Sequence, residues 1–240
     1  MAIKLFIGTS PNGLDQEIEA IYEYSLLANT SEELDIVWMK TTNDKTSYWN
    51  GWADSQWFTP FSGFRWAIPE ICNFKGRAIY TDVDMINFRD ISKLNKVDLQ
   101  GKPFGARKGN RWGYELCVMV IDCELAKKYI WNLKKLKKKK DAHAYHRDMI
   151  IKKKLIAPID PRWNCLDGED LEIPEMYQLH FTNMPTQPWH PEWFPGEKEK
   201  HSRDDILTVY KSLKAKVSNK NFVSSCKFDP DDVIDLNIRL

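Results

Sequence analysis

The order of apolar and polar positions along the chain predicts strands that alternate with helices. The β-rich run at residues 3–8 (IKLFIG) ends in a loop with Gly8, Pro11 and Gly13, which indicates a first strand. Residues 14–30 have apolar side chains at helical spacing, and residues 34–40 (LDIVWMK) predict a second strand. This alternation favours an α/β fold with a largely parallel sheet. Ligands bind beyond the carboxyl ends of such strands, so the loop at 9–13 is a candidate binding rim.

The rest of the chain continues the same pattern. We predict a third strand at 76–86 (GRAIYTDVDMI), then one or two strands that lead into a helix within 101–130. The basic run at 134–140 (KKLKKKK) is expected to close that helix. The aromatic stretch at 48–71 ends in a helical pattern, and its tryptophans, which include Trp57, favour core packing or, alternatively, stacking on an acceptor sugar.

The predicted domain organisation is a main domain at 1–195 and a C-terminal extension at 196–240. A chain of 240 residues is long enough for one large core. The composition turns polar after residue 195, where one amphipathic helix is predicted at 203–217 (RDDILTVYKSLKAKV).

Composition and charge limit the classes of partner. The formal net charge is +1, which indicates neither nucleic acid nor an anionic membrane as a partner, so any basic patch must be local. The five cysteines are odd in number and lack zinc-type spacing, which favours reduced thiols and a cytoplasmic location. No apolar run approaches the length of a membrane span, so we expect membrane contact, if any, to be peripheral. The basic run is either a solvated helix end or a patch for an anionic acceptor or lipid headgroup.

Two carboxylates, Asp82 and Asp84, lie two positions apart within the predicted third strand. In an extended strand they would share a face while Val83 points the other way. Adjacent carboxylates repel, and a raised pKa or a bound cation usually answers that repulsion. Mg²⁺ and Mn²⁺ bind such oxygens together with phosphate. The alternative is a solvated strand end without a ligand.

Four segments resemble motifs of the metal-dependent GT-A glycosyltransferases, and they occur in the same order. The segment FRWAIPEICNFKGRAIYTDVDMI resembles the helix, proline and strand that lead into the Asp-x-Asp of this group. YELCVMVIDC is similar to the strand after the metal site, IDPRWNCLDGED to a strand ending in Trp-Asn, and LHFTNMPTQPW to a C-terminal His motif. The resemblance is to the family of glycogenin and the bacterial lipopolysaccharide galactosyltransferases, with related bacterial sugar transferases, and covers residues 3–189.

The resemblance implies a Rossmann-like fold with a mixed, mainly parallel sheet flanked by helices. It also implies that Asp82, Asp84 and His180 coordinate a divalent ion. An imidazole beside carboxylates favours Mn²⁺ over Mg²⁺. The alternative for His180 is a hydrogen-bonded core histidine.

Further roles follow from the same resemblance. Arg65 is expected to contact the nucleotide sugar and assist the leaving diphosphate, since a guanidinium suits phosphate; its alternative is an ion pair. Thr9 and Ser10 are expected near the base and ribose, or they are local turn caps. Asp148 is expected near the transferred sugar or, alternatively, on a helix surface beside a lysine. Glu115 and Asp167 are weaker acidic candidates.

The chain also departs from the family pattern. Gln187 stands where glycogenin-like members have a lysine that contacts the diphosphate. The Asn-x-Gly of those members is absent, with Glu115, Leu116 and Cys117 in that region, and His180 and Trp189 are one residue further apart than in many members.

The activity implied is transfer of a hexose from a UDP-sugar to a glycan, lipid or protein acceptor, with retention of configuration. A catalytically inactive GT-A protein that binds nucleotide or glycan is the alternative. A sugar nucleotidyltransferase is disfavoured because GTSPNGLDQ is not a Gly-rich, Arg-bearing phosphate loop.

Overall fold

The computed structural model describes residues 2–11, 13–53, 61–109, 113–190 and 196–219. Trp57, Cys226 and the predicted tail beyond the last helix lie outside these ranges. Among the described residues, no helix combines the length and the apolar character needed to cross a membrane.

The strands, in chain order, are β1 (Ile3–Gly8), β2 (Leu34–Met39), β3 (Arg77–Asp82), β4 (Met85–Asn87), β5 (Phe104–Lys108), β6 (Tyr114–Asp122), β7 (Ile156–Pro158), β8 (Cys165–Leu166) and β9 (Gln178–His180). The α-helices are α1 (Gln16–Asn29), α2 (Ile68–Ile71), α3 (Ser92–Asn95), α4 (Cys123–Ala126), α5 (Leu133–Lys138), α6 (Ala142–Lys152) and α7 (Asp204–Asn219). Short 3-10 turns lie at Phe64–Ala67, Pro161–Asn164, Ile173–Glu175 and Met184–Thr186.

The chain divides into two compact units. Unit 1 comprises Met1–Asn12, Glu33–Asp82 and Leu94–Asp160. Unit 2 comprises Gly13–Glu32, Val83–Lys93 and Pro161–Leu240.

Unit 1 contains a six-stranded sheet in the order β2-β1-β3-β6-β5-β7. The pairs β1–β2, β1–β3 and β5–β7 are parallel, whereas β3–β6 and β5–β6 are antiparallel. Strands β1 and β6 are nearly continuous apolar runs, as expected for strands covered on both faces. The predicted mixed α/β sheet, mainly parallel, is confirmed.

A glycine is required at the end of β1 by close packing. A Cβ atom built on Gly8 would lie 2.5 Å from a ring carbon of Phe61 and 3.0 Å from the hydroxyl oxygen of Tyr80. Such approaches leave no room for a side chain. The carboxyl end of β1 is therefore held tightly against its neighbours in unit 1.

Unit 2 contains a three-stranded sheet in the order β4-β9-β8, together with α1 and α7. The buried side chains Ile206, Val209, Tyr210 and Leu213 recur on one face of α7 at helical spacing. The ammonium of Lys214 lies 2.7 Å from the Glu17 carboxylate on α1, and the Tyr210 hydroxyl donates to the same carboxylate. The predicted C-terminal amphipathic helix is confirmed, and it packs on α1.

Three local predictions were wrong. The strand at 76–86 is not continuous, because it ends at Asp82, bends at Val83 and Asp84, and resumes as β4, which pairs with β9 instead. The basic run does not close a long helix; α4 spans only four residues and the run forms its own helix, α5. Trp163 and Asn164 lie in the 3-10 turn Pro161–Asn164 rather than at a strand end.

Candidate functional site

In unit 1, the parallel pairing of β1 and β3 aligns the end of one strand with the end of the other. Gly8 is the register partner of Asp82, so Thr9 and Ser10 follow β1 at the edge where Asp82 ends β3. Thr9 is buried and its N–H donates to the carbonyl of Met39, 3.2 Å away, while Ser10 is half-buried. These residues thus occupy the edge where ligands bind in parallel sheets.

Arg65 is buried and directed at Asp82. Its Nη2 lies 3.2 Å from Oδ1 of Asp82, its Nε donates to the carbonyl of Ser62 at 3.0 Å, and its Nη1 donates to the carbonyl of Leu116. The guanidinium carbon lies 4.1 Å from the ring centroid of Tyr80. Burial alone would lower the pKa of Arg65, but Tyr80 and Asp82 outweigh it and the pKa is raised. Arg65 is therefore a permanent cation that orients Asp82.

Tyr80 supplies a second fixed partner for the same carboxylate. Its hydroxyl donates to Oδ1 of Asp82. Burial, and after it the nearby negative charge of Asp82, raises the pKa of Tyr80 well above its usual value, although Arg65 opposes the shift. Tyr80 therefore stays a neutral donor, and Asp82 is held in one orientation.

Cys117 lies beside Asp82 in unit 1. Because Thr81 pairs with Val118, the next position along brings Cys117 opposite Asp82, and the Cys117 sulfur lies within 4.8 Å of a carboxylate oxygen. In the sequence, Cys117 is notable only because it lies where the Asn-x-Gly of the family is absent. Nothing local marked it as a neighbour of Asp82, because that proximity depends on the antiparallel register of β3 and β6.

In unit 2, strand pairing brings His180 to Asp84 across almost a hundred residues of chain. Met85 of β4 is the register partner of His180 in β9, and the N–H of Phe181 donates to the carbonyl of Asp84 at 2.9 Å. As a result Nε2 of His180 lies 3.4 Å from Oδ1 of Asp84. The structure thus brings together two of the three predicted metal ligands within one unit.

Gln187 is the third predicted residue at this point of unit 2. It is buried, and its amide nitrogen donates to Oδ2 of Asp84 at 3.3 Å and to the carbonyl of Phe181 at 2.8 Å. In this arrangement Gln187 orients Asp84. Its predicted contact with the donor stays a prediction.

The contact of Asp84 with His180 has the features of a cation site. The Nδ1–H of His180 donates to Oδ1 of Asn164 at 2.9 Å, and the other ring nitrogen, Nε2, is the one that faces the carboxylate of Asp84. Oδ1 of Asp84 is buried and accepts no hydrogen bond from any described residue. A buried carboxylate oxygen that lies 3.4 Å from an imidazole nitrogen is a donor set that suits a divalent ion.

Asp148, the predicted sugar contact, lies on α6 in unit 1. Its side chain is 66% exposed, and its carboxylate accepts from Nε of Arg147 at 2.8 Å. The neighbours on the inner face of α6 are His143, His146 and Arg147, all buried. Its predicted role stays a prediction, and its present partner is an arginine rather than a lysine.

The buried histidines of α6 were missed by sequence reasoning. His146 donates from Nδ1 to the carbonyl of Ala142 at 2.7 Å and accepts from the N–H of Trp131 at 3.2 Å. Burial lowers the pKa of His146 to about 4, and burial with the charges of Arg65 and Arg147 lowers the pKa of His143 to about 2. Both rings are neutral at pH 7, and no sequence motif marked them.

The weaker acidic candidates have other partners. Asp167 is buried in unit 2, accepts from the N–H and hydroxyl of Thr182 at 3.1 and 2.6 Å, and pairs with His201 at 3.3 Å. These contacts connect the segment after β8 to the chain that precedes α7. Glu115 is half-buried in β6, where a carboxylate oxygen occupies the space beside Gly109.

Comparison with solved structures identifies the fold. The glycosyltransferase GlyE of Streptococcus pneumoniae TIGR4 superposes with a TM-score of 0.62 at 15% identity over 95% of this chain. The galactosyltransferase LgtC, solved with donor and acceptor sugar analogues, superposes with a TM-score of 0.61 at 10% identity, over 92% of this chain and 97% of its own. The bifunctional glycosyltransferase WbbM gives 0.58 at 11% identity over 92% of this chain and 50% of its own.

The chain spans only 65% of the length of GlyE. No family model and no curated protein matches the sequence. At this level of identity the likeness establishes the fold. The chain therefore has the GT-A fold, as the sequence motifs predicted, and its structural neighbours are glycosyltransferases.

Proposed function

We propose that this protein is a metal-dependent glycosyltransferase that moves a hexose from a UDP-sugar to a glycan, lipid or protein acceptor. The observation that carries the proposal is the Asp84–His180 pair, whose 3.4 Å contact joins a buried carboxylate oxygen to an imidazole held by Asn164. The GT-A fold of its structural neighbours supports the same class of reaction.

Asp84 and His180 would hold the ion, and Asp82, two residues before Asp84 along the chain, is the expected third ligand. A carboxylate and imidazole set favours Mn²⁺, although Mg²⁺ also fits the carboxylates. When bound, the ion would supply Lewis-acid neutralisation of the diphosphate that leaves. Arg65 and Tyr80 fix Asp82 in one orientation, and Asn164 and Gln187 do the same for His180 and Asp84.

The remaining predicted residues complete the proposal. Thr9 and Ser10, at the carboxyl edge of the unit 1 sheet, would contact the nucleoside, and Arg65 would add positive charge near the leaving group. Asp148 would contact the transferred sugar, and the expected outcome is retention of configuration. We also propose that residues 1–195 carry the activity and that 196–240 form an extension, in a cytoplasmic protein.

Release of UDP tests the proposal. Incubation with a panel of UDP-sugars and Mn²⁺ should give free UDP with one preferred sugar, and EDTA should abolish it. Asp84→Asn should lower the rate by about a hundredfold or more, because the substitution removes the negative charge that would hold the ion. The matched control is Asp170→Asn, which removes an exposed carboxylate of the same unit and should leave the rate unchanged.

A second candidate is a catalytically inactive protein that binds nucleotide or glycan. It is favoured by Gln187 in the place of a lysine and by the missing Asn-x-Gly. Binding of UDP that is independent of metal, together with no UDP release from any sugar of the panel, would favour this candidate over the enzyme.

A further inference from the structure

One segment of unit 1 has a large excess of positive over negative charge. Residues 127–154 contain eleven lysines and one arginine but only two aspartates, a net charge of +10 in a chain whose total is +1. The rest of the chain is therefore net negative. The segment includes α5, α6 and the residues that follow α4.

The lysines of this segment face solvent. Lys137 is half-buried, and its ammonium donates to the carbonyl of Asn50 at 2.7 Å. The other ten lysines are exposed: Lys127, Lys128, Lys134, Lys135, Lys138, Lys139, Lys140, Lys152, Lys153 and Lys154. These ten lysines, together with the rings of Tyr129, Trp131 and Tyr145, are called the lysine-rich surface.

Three aromatic rings join the parts of this surface. The ammonium groups of Lys128 and Lys153, from opposite ends of the segment, lie 5.0 and 5.9 Å from the ring centroid of Tyr129. Lys135 lies 3.9 Å from the ring of Trp131, which stacks on Tyr145 with centroids 4.2 Å apart. Tyr145 is 45% exposed. Lys128 before α5, Lys135 on α5 and Lys153 at the end of α6 thus each lie against an aromatic ring.

Few acidic groups compensate this charge. Asp148 is paired with the buried Arg147, and Asp141 is exposed just before α6. Glu70 is engaged by the N–H of Leu133 at 2.6 Å, and Asp122 caps α4 by accepting from the N–H of Leu125 at 3.0 Å. Glu124 is exposed on α4. The surface therefore keeps a large positive excess.

We propose that the lysine-rich surface binds the anionic headgroups of a lipid membrane. Exposed ammonium groups are strongly hydrated point charges that suit a diffuse negative surface, and their contributions add up. The one arginine of the segment is turned inward, so the planar forks that nucleic-acid recognition favours are absent from this surface. Tyrosine and tryptophan rings are suited to the headgroup level of a bilayer. The inference rests on charge, exposure and these rings, and it is independent of the proposed function.

Vesicle flotation of the full chain tests the inference. We expect binding to vesicles that contain roughly a third phosphatidylglycerol in phosphatidylcholine, and none to phosphatidylcholine alone. Raising the salt from about 0.1 M to about 1 M should release the protein, because the Debye length falls from about 10 Å to about 3 Å.

Two matched quadruple variants separate this surface from net charge. The first variant combines Lys128→Gln, Lys134→Gln, Lys138→Gln and Lys152→Gln. It should bind the anionic vesicles about tenfold or more weakly, since each lysine near an anionic surface contributes up to about fivefold to the affinity. The second variant combines Lys93→Gln, Lys200→Gln, Lys211→Gln and Lys216→Gln, which remove the same charge from exposed positions elsewhere. Its affinity for the vesicles should stay within about twofold of the wild-type affinity.

Three results would overturn the inference. They are no binding of the wild-type chain to the anionic vesicles at low salt, equal losses in the two quadruple variants, and tighter binding to a short DNA duplex than to the vesicles at equal phosphate concentration. The first and third concern the partner and the second concerns the surface. None of these three results bears on the release of UDP, so the membrane inference and the proposed function can fail separately.

Discussion

The ring of His180 is held in one orientation by a single side chain. Its Nδ1–H donates to Oδ1 of Asn164, and this contact directs Nε2 at the carboxylate of Asp84. Asp84 is likewise held by the amide of Gln187. The motif around Trp163 and Asn164 was recognised in the sequence, but the role of Asn164 was not, because it depends on the pairing of β8 with β9.

At this scale the first prediction concerns Asn164. Asn164→Ala should weaken Mn²⁺ binding by about 10- to 100-fold, because loss of the partner of a metal-bound histidine frees its ring. Titration calorimetry with Mn²⁺ measures the change. Asn164→Asp, which keeps an acceptor at the same place, should retain most of the affinity. Equal affinity of the alanine variant and the wild-type protein would contradict this role.

At the scale of elements, the edge of the unit 1 sheet depends on the close fit at the end of β1. Thr9 follows Gly8 directly, and Gly8 is aligned with Asp82 across the β1–β3 pair. The strand itself was predicted from its apolar run. The need for glycine at this position could not be predicted, because Phe61 and Tyr80 come from distant parts of the sequence.

Gly8→Ala should therefore lower the free energy of unfolding by about 1–3 kcal/mol through overpacking against Phe61. Urea denaturation followed by tryptophan fluorescence measures it. Gly168→Ala is the matched control, since no atom lies within 4 Å of the added Cβ, and it should change stability by less than about 0.5 kcal/mol. Similar losses in the two variants would show that the fit at Gly8 is not the cause.

Helix α6 should make stability depend on pH through His146. Its pKa is lowered from 6.5 to about 4 by burial, so the unfolded chain binds the proton first as the pH falls below 6.5. The contribution of neutral His146 is fully present above pH 6.5. Between pH 6.5 and 4 the free energy of unfolding should fall by about 3 kcal/mol, at 1.36 kcal/mol per pKa unit.

Denaturant titrations at a series of pH values measure this dependence. His146→Phe keeps a ring against Trp66 and Trp131 but cannot be protonated. The variant should be less stable at pH 7, because the N–H of Trp131 loses its acceptor, yet its stability should fall less between pH 6.5 and 4. An unchanged pH dependence would rule out His146 as its source.

At the scale of the whole molecule, an ion held by residues far apart in sequence should stabilise the folded chain. Asp84 and His180 are brought together only by folding, so the unfolded chain offers no comparable site. At a free Mn²⁺ concentration of about 100 times Kd, the free energy of unfolding should rise by about 2.7 kcal/mol. For a chain of this size that corresponds to a rise in Tm of about 5–10 °C.

Thermal unfolding with and without Mn²⁺ measures this gain, and EDTA should reverse it. Asp84→Asn should lose the response, whereas Asp170→Asn should keep it. A Tm that Mn²⁺ leaves unchanged in the wild-type protein would count against the metal site, even if UDP binds.

Several elements could be predicted because their signal is local in the chain. The apolar runs gave β1, β2 and β3, the helical spacing gave α1 and α7, and the ordered motifs predicted the GT-A fold. Local signals could not predict that the chain bends after Asp82, that β4 pairs with β9, or that Arg65 and Tyr80 both contact Asp82. The physical reason is that apolar periodicity reports which face of an element is buried, whereas strand register and partner choice are set by packing between segments that are distant along the chain.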